Sequence, residues 1–340
     1  MKPNQRPQYW LLLVVVISVL VVLLMSGCNS TNQSAAAAVP NTPVTVQLAW
    51  VDSSEYAGFY VAEEKGYYAN ENLTVTLNEL GDASPIDQVT AGKADFGITS
   101  ADNLLSARAK GAPIVAIATI FQRSPVAFVS LAEKNITRPQ DLIGKKVLVH
   151  FEGTTGLVYY ALLASQGIAP TEVEGVARTD FGNQPLLDGQ VDVMDAFITN
   201  QPVQLARAGH QVNAILASDY GIDIYANIIF TSEATLANKP ELVEHFLRAT
   251  IQGMQSVLQD PKGAVALAVA RNSDLNLEAE TESMNRSLPL LNPAGGRPGA
   301  MRPEDWEITH HILLDQGILD KPLDIKAAYN LSFLEKVSGQ

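Results

Sequence analysis

The 340-residue chain has one cysteine, Cys28. A lone cysteine closes no intramolecular disulfide and builds no cysteine-rich zinc site. Basic residues are scarce: 23 Lys and Arg stand against 36 Asp and Glu, for a net charge of −13. Lys2 and Arg6 are the only charges in the first 27 residues, so the remainder is more acidic still. Such a chain is repelled by nucleic acid backbones, and no basic patch offsets that, so no nucleic-acid partner is expected. The five histidines (His150, His210, His245, His310 and His311) form no His-Glu-x-x-His pattern. The adjacent pair points to different helix faces, so no metal site is expected. Neither a Gly-x-Ser-x-Gly elbow nor a Walker loop occurs, and no catalytic residue or cofactor is expected. Apolar residues are plentiful, at 47% against 17% charged, which suffices for a sizeable core. At about 150 residues per domain, the length allows two domains or one large one.

Lys2 and Arg6 precede an apolar run from Tyr9 to Met25 interrupted only by Ser18. A positive flank followed by an apolar stretch has the shape of an export signal. At about 1.5 Å per residue the run also comes close to spanning a bilayer, so a signal anchor is the competing reading. The end of the run, Leu24-Met25-Ser26-Gly27-Cys28, resembles the bacterial lipobox, in which the cysteine is lipidated and becomes the mature N-terminus. The expectation is therefore a signal peptide over 1–27, lipidation at Cys28 and a membrane-held protein on the extracytoplasmic face. Residues 28–43 are small and uncharged, with no aromatic residue, and read as a flexible tether.

Beyond the tether the hydrophobic pattern alternates between strand and helix periods. Strands are expected at 44–50, 73–77, 95–99, 114–118, 126–131, 146–150, 175–178, 193–198 and 225–230. Short helices lie between them, several stopped by a glycine such as Gly66, Gly111, Gly167 or Gly209. Strand–helix alternation with short joints argues for parallel sheets covered on both faces. After Phe230 the pattern turns helical: 240–258, 262–271, 278–288, 303–316 and 325–329. Two similar α/β units and a helical tail fit two lobes with a cleft between them.

Three stretches carry a more specific signal. They are Trp50-Val-Asp-Ser-Ser-Glu-Tyr-Ala-Gly-Phe-Tyr-Val-Ala-Glu-Glu-Lys-Gly-Tyr-Tyr68, Ala91-Gly-Lys-Ala-Asp-Phe-Gly-Ile98 and Asp141-Leu-Ile-Gly-Lys-Lys-Val147. In this order and spacing the chain resembles the NMT1/THI5-like solute-binding proteins over roughly residues 44–270. The resemblance implies an α/β type II periplasmic-binding-protein fold, two lobes joined by two crossing strands near 126–131 and 223–230. Lobe one is then 44–126 plus 227–340, and lobe two 130–222. It also implies an importer's binding component, with an ABC permease and its ATPase as partners and a small-molecule ligand.

In such a fold the ligand lies between strand ends, helix N-termini and their loops. That places Trp50, Tyr56, Ser100, Asn103, Gln122, Glu152, Thr154, Asp180, Asn200 and Tyr225 as candidate ligand-binding residues. For each a plainer reading stands. Trp50 can belong to the core, the Gly153–Gly156 stretch to a tight turn and cap, and Asn200 to a strand end. Glu152 and Asp180 can be solvated loop acids. Tyr56 is expected in the cleft and not in the core. The expected aromatic ring is Trp50, Tyr56, Phe121, Phe151, Phe181 and Tyr225, and no arginine but Arg123 falls in the mapped loops. Sulfonates and nitrate want a fixed cation or dense donors, whereas a flat uncharged heterocycle wants aromatic faces and amides. Tyr56-Ala-Gly-Phe-Tyr60 looks like the riboflavin-binding branch of the family, so riboflavin is the first expectation. A thiamine-type pyrimidine comes second and a sulfonate third. The family's pyrimidine synthases use a cysteine-rich segment and an active-site histidine. This chain has neither, and Glu55-Tyr56 stands where the pyrimidine branch usually has Asn-His, which argues against an enzyme.

Overall fold

A computed structural model describes residues 41–180, 182–293 and 295–337. The expected export signal, Cys28, the expected tether through residue 40 and Phe181 lie outside the described residues. The chain divides into two units, Met1–Pro40 and Asn41–Gln340, and the second is the body treated below.

Among the described residues ten strands form two sheets. They are β1 (Thr42–Gln47), β2 (Leu73–Asn78), β3 (Phe96–Thr99), β4 (Ile114–Thr119), β5 (Val126–Leu131), β6 (Lys146–Val149), β7 (Glu174–Ala177), β8 (Val193–Phe197), β9 (Val212–Leu216) and β10 (Ile228–Ser232). The first sheet has the order β2-β1-β3-β10-β4 and the second β7-β6-β8-β5-β9. Two α/β lobes result, as the alternating pattern suggested, in the arrangement that the family resemblance implies.

The sheets are mixed, which corrects the expectation of parallel ones. β10 pairs antiparallel with both β3 and β4, and β5 antiparallel with both β8 and β9. Each of these strands enters its sheet directly from the other lobe, without the helical crossover that a parallel neighbour requires. The chain passes between sheets after β4 and again before β10. Smaller corrections follow from exposure. β9 escaped the sequence reading because it is a half-buried edge strand with a weak pattern, Val-Asn-Ala-Ile-Leu. β1 starts at Thr42, two residues before the strand expected from 44. The helix expected at 325–329 is a single 3-10 turn, Ile325–Ala327, and a short helix follows at Ser332–Val337. Among the described residues no helix is long and apolar enough to cross a membrane.

The helix Ala57–Glu64 is wedged against the long helix Pro240–Gln259. A side chain at Gly253 would meet the Gly58 carbonyl oxygen at 2.0 Å, so the two backbones touch there. Phe246 of the long helix stacks on Phe96 of β3, with ring centroids 3.9 Å apart. This packing fixes the turn Ser54–Tyr56, which enters the helix and forms part of the floor of the cleft.

Candidate functional site

A cavity of about 590 Å³ opens between the ends of the two sheets. The first sheet contributes Trp50, Glu55, Tyr56, Ser100, Asn103 and Asn227 to its wall. The second contributes Thr154, Thr155, Arg178, Asp195, Phe197 and Asn200. Six of the ten expected residues are therefore brought together: Trp50, Tyr56, Ser100, Asn103, Thr154 and Asn200.

The other four are not. Gln122 donates from Nε2 to the Arg297 carbonyl at 2.8 Å and is tied to the C-terminal segment. Glu152 is exposed outside the cavity. Asp180 is engaged within its own loop: its carbonyl accepts from Arg178 Nε at 2.6 Å and its Oδ1 from the Gly182 amide at 2.7 Å. Tyr225 is buried beside Trp306, and its hydroxyl donates to Asp305 Oδ2 at 2.6 Å. The expected aromatic ring shrinks accordingly. Phe121 is buried, and Phe151 stacks on Tyr160, 5.8 Å between centroids. Trp50 and Tyr56 remain, and Phe197 joins them.

Tyr56 is 0% exposed and belongs to the first lobe's core as well as to the wall, which corrects its placement as a cleft residue alone. Trp50 is 45% exposed at the mouth, so it is not core. The Gly153–Gly156 turn is tight, as its plainer reading held: a Cβ on Gly156 would meet the Phe151 carbonyl oxygen at 2.5 Å. The tightness brings the start of helix Thr154–Ser165 to the cavity.

Thr154 also bridges the lobes. Its Oγ1 lies 3.1 Å from both carboxylate oxygens of Asp102 and 3.1 Å from Ser100 Oγ, so a hydroxyl of the second lobe donates to the first. Burial pushes the Asp102 carboxyl up, against the pull of those hydrogen bonds.

The expectation that no arginine but Arg123 comes near the site is overturned by Arg178. It sits one residue past β7 and forms a buried ion pair with Asp195 of β8. Arg178 also donates from Nη1 to the Asp195 carbonyl at 2.6 Å and from Nη2 to the Gly182 carbonyl at 3.0 Å. Asp195 Oδ2 accepts from the His150 amide at 2.9 Å and from the Thr155 hydroxyl. The pair is thus neutral overall and held on several sides. The sequence pattern places Arg178 at a strand end, and no local signal pairs it with a residue 17 positions away.

Glu55 differs. Its Oε1 accepts from Asn227 Nδ2, and the Tyr56 hydroxyl lies beside it. Burial is the largest influence and raises the carboxyl from 4.5 to about 7; Asn227 and Tyr56 oppose the rise and the nearby Glu280 adds to it. At neutral pH this wall can offer both a protonated and an ionised carboxyl.

The sequence profile of the family described as NMT1/THI5 like matches residues 53–264. The chain is 30% identical over 319 residues to a riboflavin-binding protein of Chloroflexus aurantiacus, covering 88% of this chain and 89% of that one. It is 27% identical to a 4-amino-5-hydroxymethyl-2-methylpyrimidine phosphate synthase of Legionella pneumophila, over 86% of this chain and 92% of that one. Among solved structures, the periplasmic aliphatic sulphonate binding protein of Escherichia coli superposes with a TM-score of 0.68 at 13% identity. That superposition covers 85% of this chain and 97% of the other, and shows a shared fold.

Proposed function

The chain belongs to the NMT1/THI5-like family, and from that premise we propose that it is the substrate-binding lipoprotein of an ABC importer. It captures a neutral, vitamin-type heteroaromatic solute, riboflavin first, and delivers it to a membrane permease driven by an ATPase. Cys28 carries the lipid that holds it at the extracytoplasmic face of the cell membrane. The lobes correspond to 44–126 with 227–340 and to 130–222.

The observation that carries the ligand reading is the size and balance of the cavity. Its volume of about 590 Å³ falls within the roughly 300–1,000 Å³ usual for drug-sized ligands. A one-ring pyrimidine would leave most of it empty, whereas a three-ring isoalloxazine with its ribityl chain would occupy much of it. Trp50, Tyr56 and Phe197 offer aromatic faces, and Asn103, Asn200 and Asn227 offer neutral amides. The buried Arg178 on the wall is already neutralised by Asp195, which disfavours a sulfonate. The riboflavin-binding relative points the same way.

A thiamine-precursor pyrimidine is the second reading, favoured by the pyrimidine-handling relative. Enzyme activity is disfavoured. Among the described residues neither histidine nor cysteine lines the cavity, and Glu55-Tyr56 replaces the Asn-His of the pyrimidine branch. Purifying the full chain in detergent from riboflavin-supplemented cells tests the reading. A co-purifying flavin, seen as yellow colour and a visible absorption band, is expected. A colourless preparation carrying a pyrimidine by mass spectrometry would replace the first ligand by the second.

A further inference from the structure

We propose that Glu55, held by Asn227, is the residue that sets ligand specificity in this cavity, and that it reads the imide-type edge of a neutral ring, an N–H beside a carbonyl. The proposal deepens the solute-binding reading above and rests on it.

The geometry is local. Glu55 and Asn227 both line the cavity, from the turn Ser54–Tyr56 and from the segment entering β10. Asn227 Nδ2 donates to Glu55 Oε1. Asn227 is itself fixed, because its main-chain carbonyl accepts from the Ile120 amide at 2.8 Å and from Thr119 Oγ1 at 3.2 Å. The amide thereby marks Oε1 as the acceptor oxygen and leaves a proton to reside on Oε2. A carboxyl in that state presents a donor and an acceptor side by side, complementary to an N–H and a carbonyl side by side. The Arg178–Asp195 pair on the facing wall does not offer this, since its two members already satisfy each other.

Burial and Glu280 favour the neutral state of Glu55, and the hydrogen bonds of Asn227 and Tyr56 oppose them. Glu280, from the helix Leu277–Leu291, accepts from the Ser54 amide at 2.9 Å and repels a second negative charge. Tyr56 is adjacent. Tyr60, on the following helix, is engaged with Asp52, and Arg271 lies over the Tyr60 ring and pairs with Asp52 and Glu63. Across the cavity stand the Arg178–Asp195 pair and, at the rim, Lys110. With its carboxyl raised to about 7, Glu55 is protonated below neutrality and loses the donor above it.

The test uses the full chain in detergent, with riboflavin and 3-methylriboflavin as probes and calorimetry from pH 6 to 8.5. Riboflavin should bind the wild type about tenfold or more weakly at pH 8.5 than at pH 6, the sign for a site that needs a bound proton. Glu55→Gln keeps a donor beside an acceptor without titrating, so its affinity should stay within about threefold of the wild type at pH 6 and remain flat. 3-Methylriboflavin, which lacks the N–H, should bind the wild type about tenfold more weakly than riboflavin. A flat wild-type profile, an unchanged slope in Glu55→Gln, or equal binding of the methylated probe overturns the proposal. If Glu55→Gln fails to fold, the wild-type profile and the methylated probe still decide. Riboflavin binding that is indifferent to pH and methylation removes this inference alone; no riboflavin binding at any pH removes the functional reading with it.

Discussion

On the wall built from the second sheet, Arg178 and Asp195 meet as a buried pair, with backbone amides and carbonyls completing their shells. On the facing wall, Glu55 meets an amide and a phenol, and the charge that acts on it is that of another acid, Glu280. The first wall stores its charge in a closed unit that owes nothing to a ligand. The second holds a carboxyl whose state remains adjustable. A buried group that is fully paired serves the fold; one that is partly paired and faces a cavity is available to a solute.

The comparison is broken most severely at Arg178. Arg178→Met leaves Asp195 buried without its cation, and removing one partner of such a pair costs about 3–5 kcal/mol. The melting temperature should fall by several degrees with or without ligand. A variant that melts like the wild type would mean that the pair contributes little to the second lobe.

Tyr56→Ala comes next. Because the ring is fully buried, its truncation should cost about 3 kcal/mol of stability, in the range for large-to-small core changes. It should weaken ligand binding as well. Urea unfolding read beside a ligand titration separates the two losses, and loss of affinity with unchanged stability would return Tyr56 to a cleft residue alone.

Thr154→Val removes the hydroxyl that reaches across to Asp102 and Ser100. A buried carboxyl deprived of a donor costs about 1–2 kcal/mol. If the contact belongs to the ligand-closed arrangement, the loss falls on affinity. Calorimetry should then show about tenfold weaker binding, and scattering should show a larger radius of gyration for the liganded variant. Wild-type affinity in Thr154→Val would show that the bridge does not help closure.

Trp50→Ala gives the smallest change. The ring is exposed at the mouth, so stability should be unaffected, while a lost stacking contact is worth about 0.5–1.5 kcal/mol of binding. Ligand-dependent quenching of tryptophan fluorescence should diminish with it. Quenching that persists in full in the variant would place the ligand away from this rim.

The parts of the molecule legible in the sequence were those set by local pattern. β1 alternates and β3 is a short buried run, and the residues just beyond them, Trp50, Tyr56, Ser100 and Asn103, reach the cavity. Thr154 and Asn200 could be read in the same way, at the starts of helices that follow strands. What could not be read depends on distant partners. Tyr225 lies beside a crossing segment but turns to Asp305, 80 residues away. Arg178 lies one residue past β7, yet it lines the cavity paired to Asp195 of β8, two strands across the sheet. The antiparallel entry of β5 and β10 is likewise invisible to periodicity, which reports that a strand exists and not which way it runs.

Calorimetric titration of the full chain in detergent, at pH 6, with riboflavin, 4-amino-5-hydroxymethyl-2-methylpyrimidine and an alkanesulfonate, is the most direct measurement of the central claim. Saturable one-to-one binding of riboflavin, tighter than either competitor by about tenfold or more, is the predicted result. Tight binding of the pyrimidine or the sulfonate with no heat from riboflavin would contradict it.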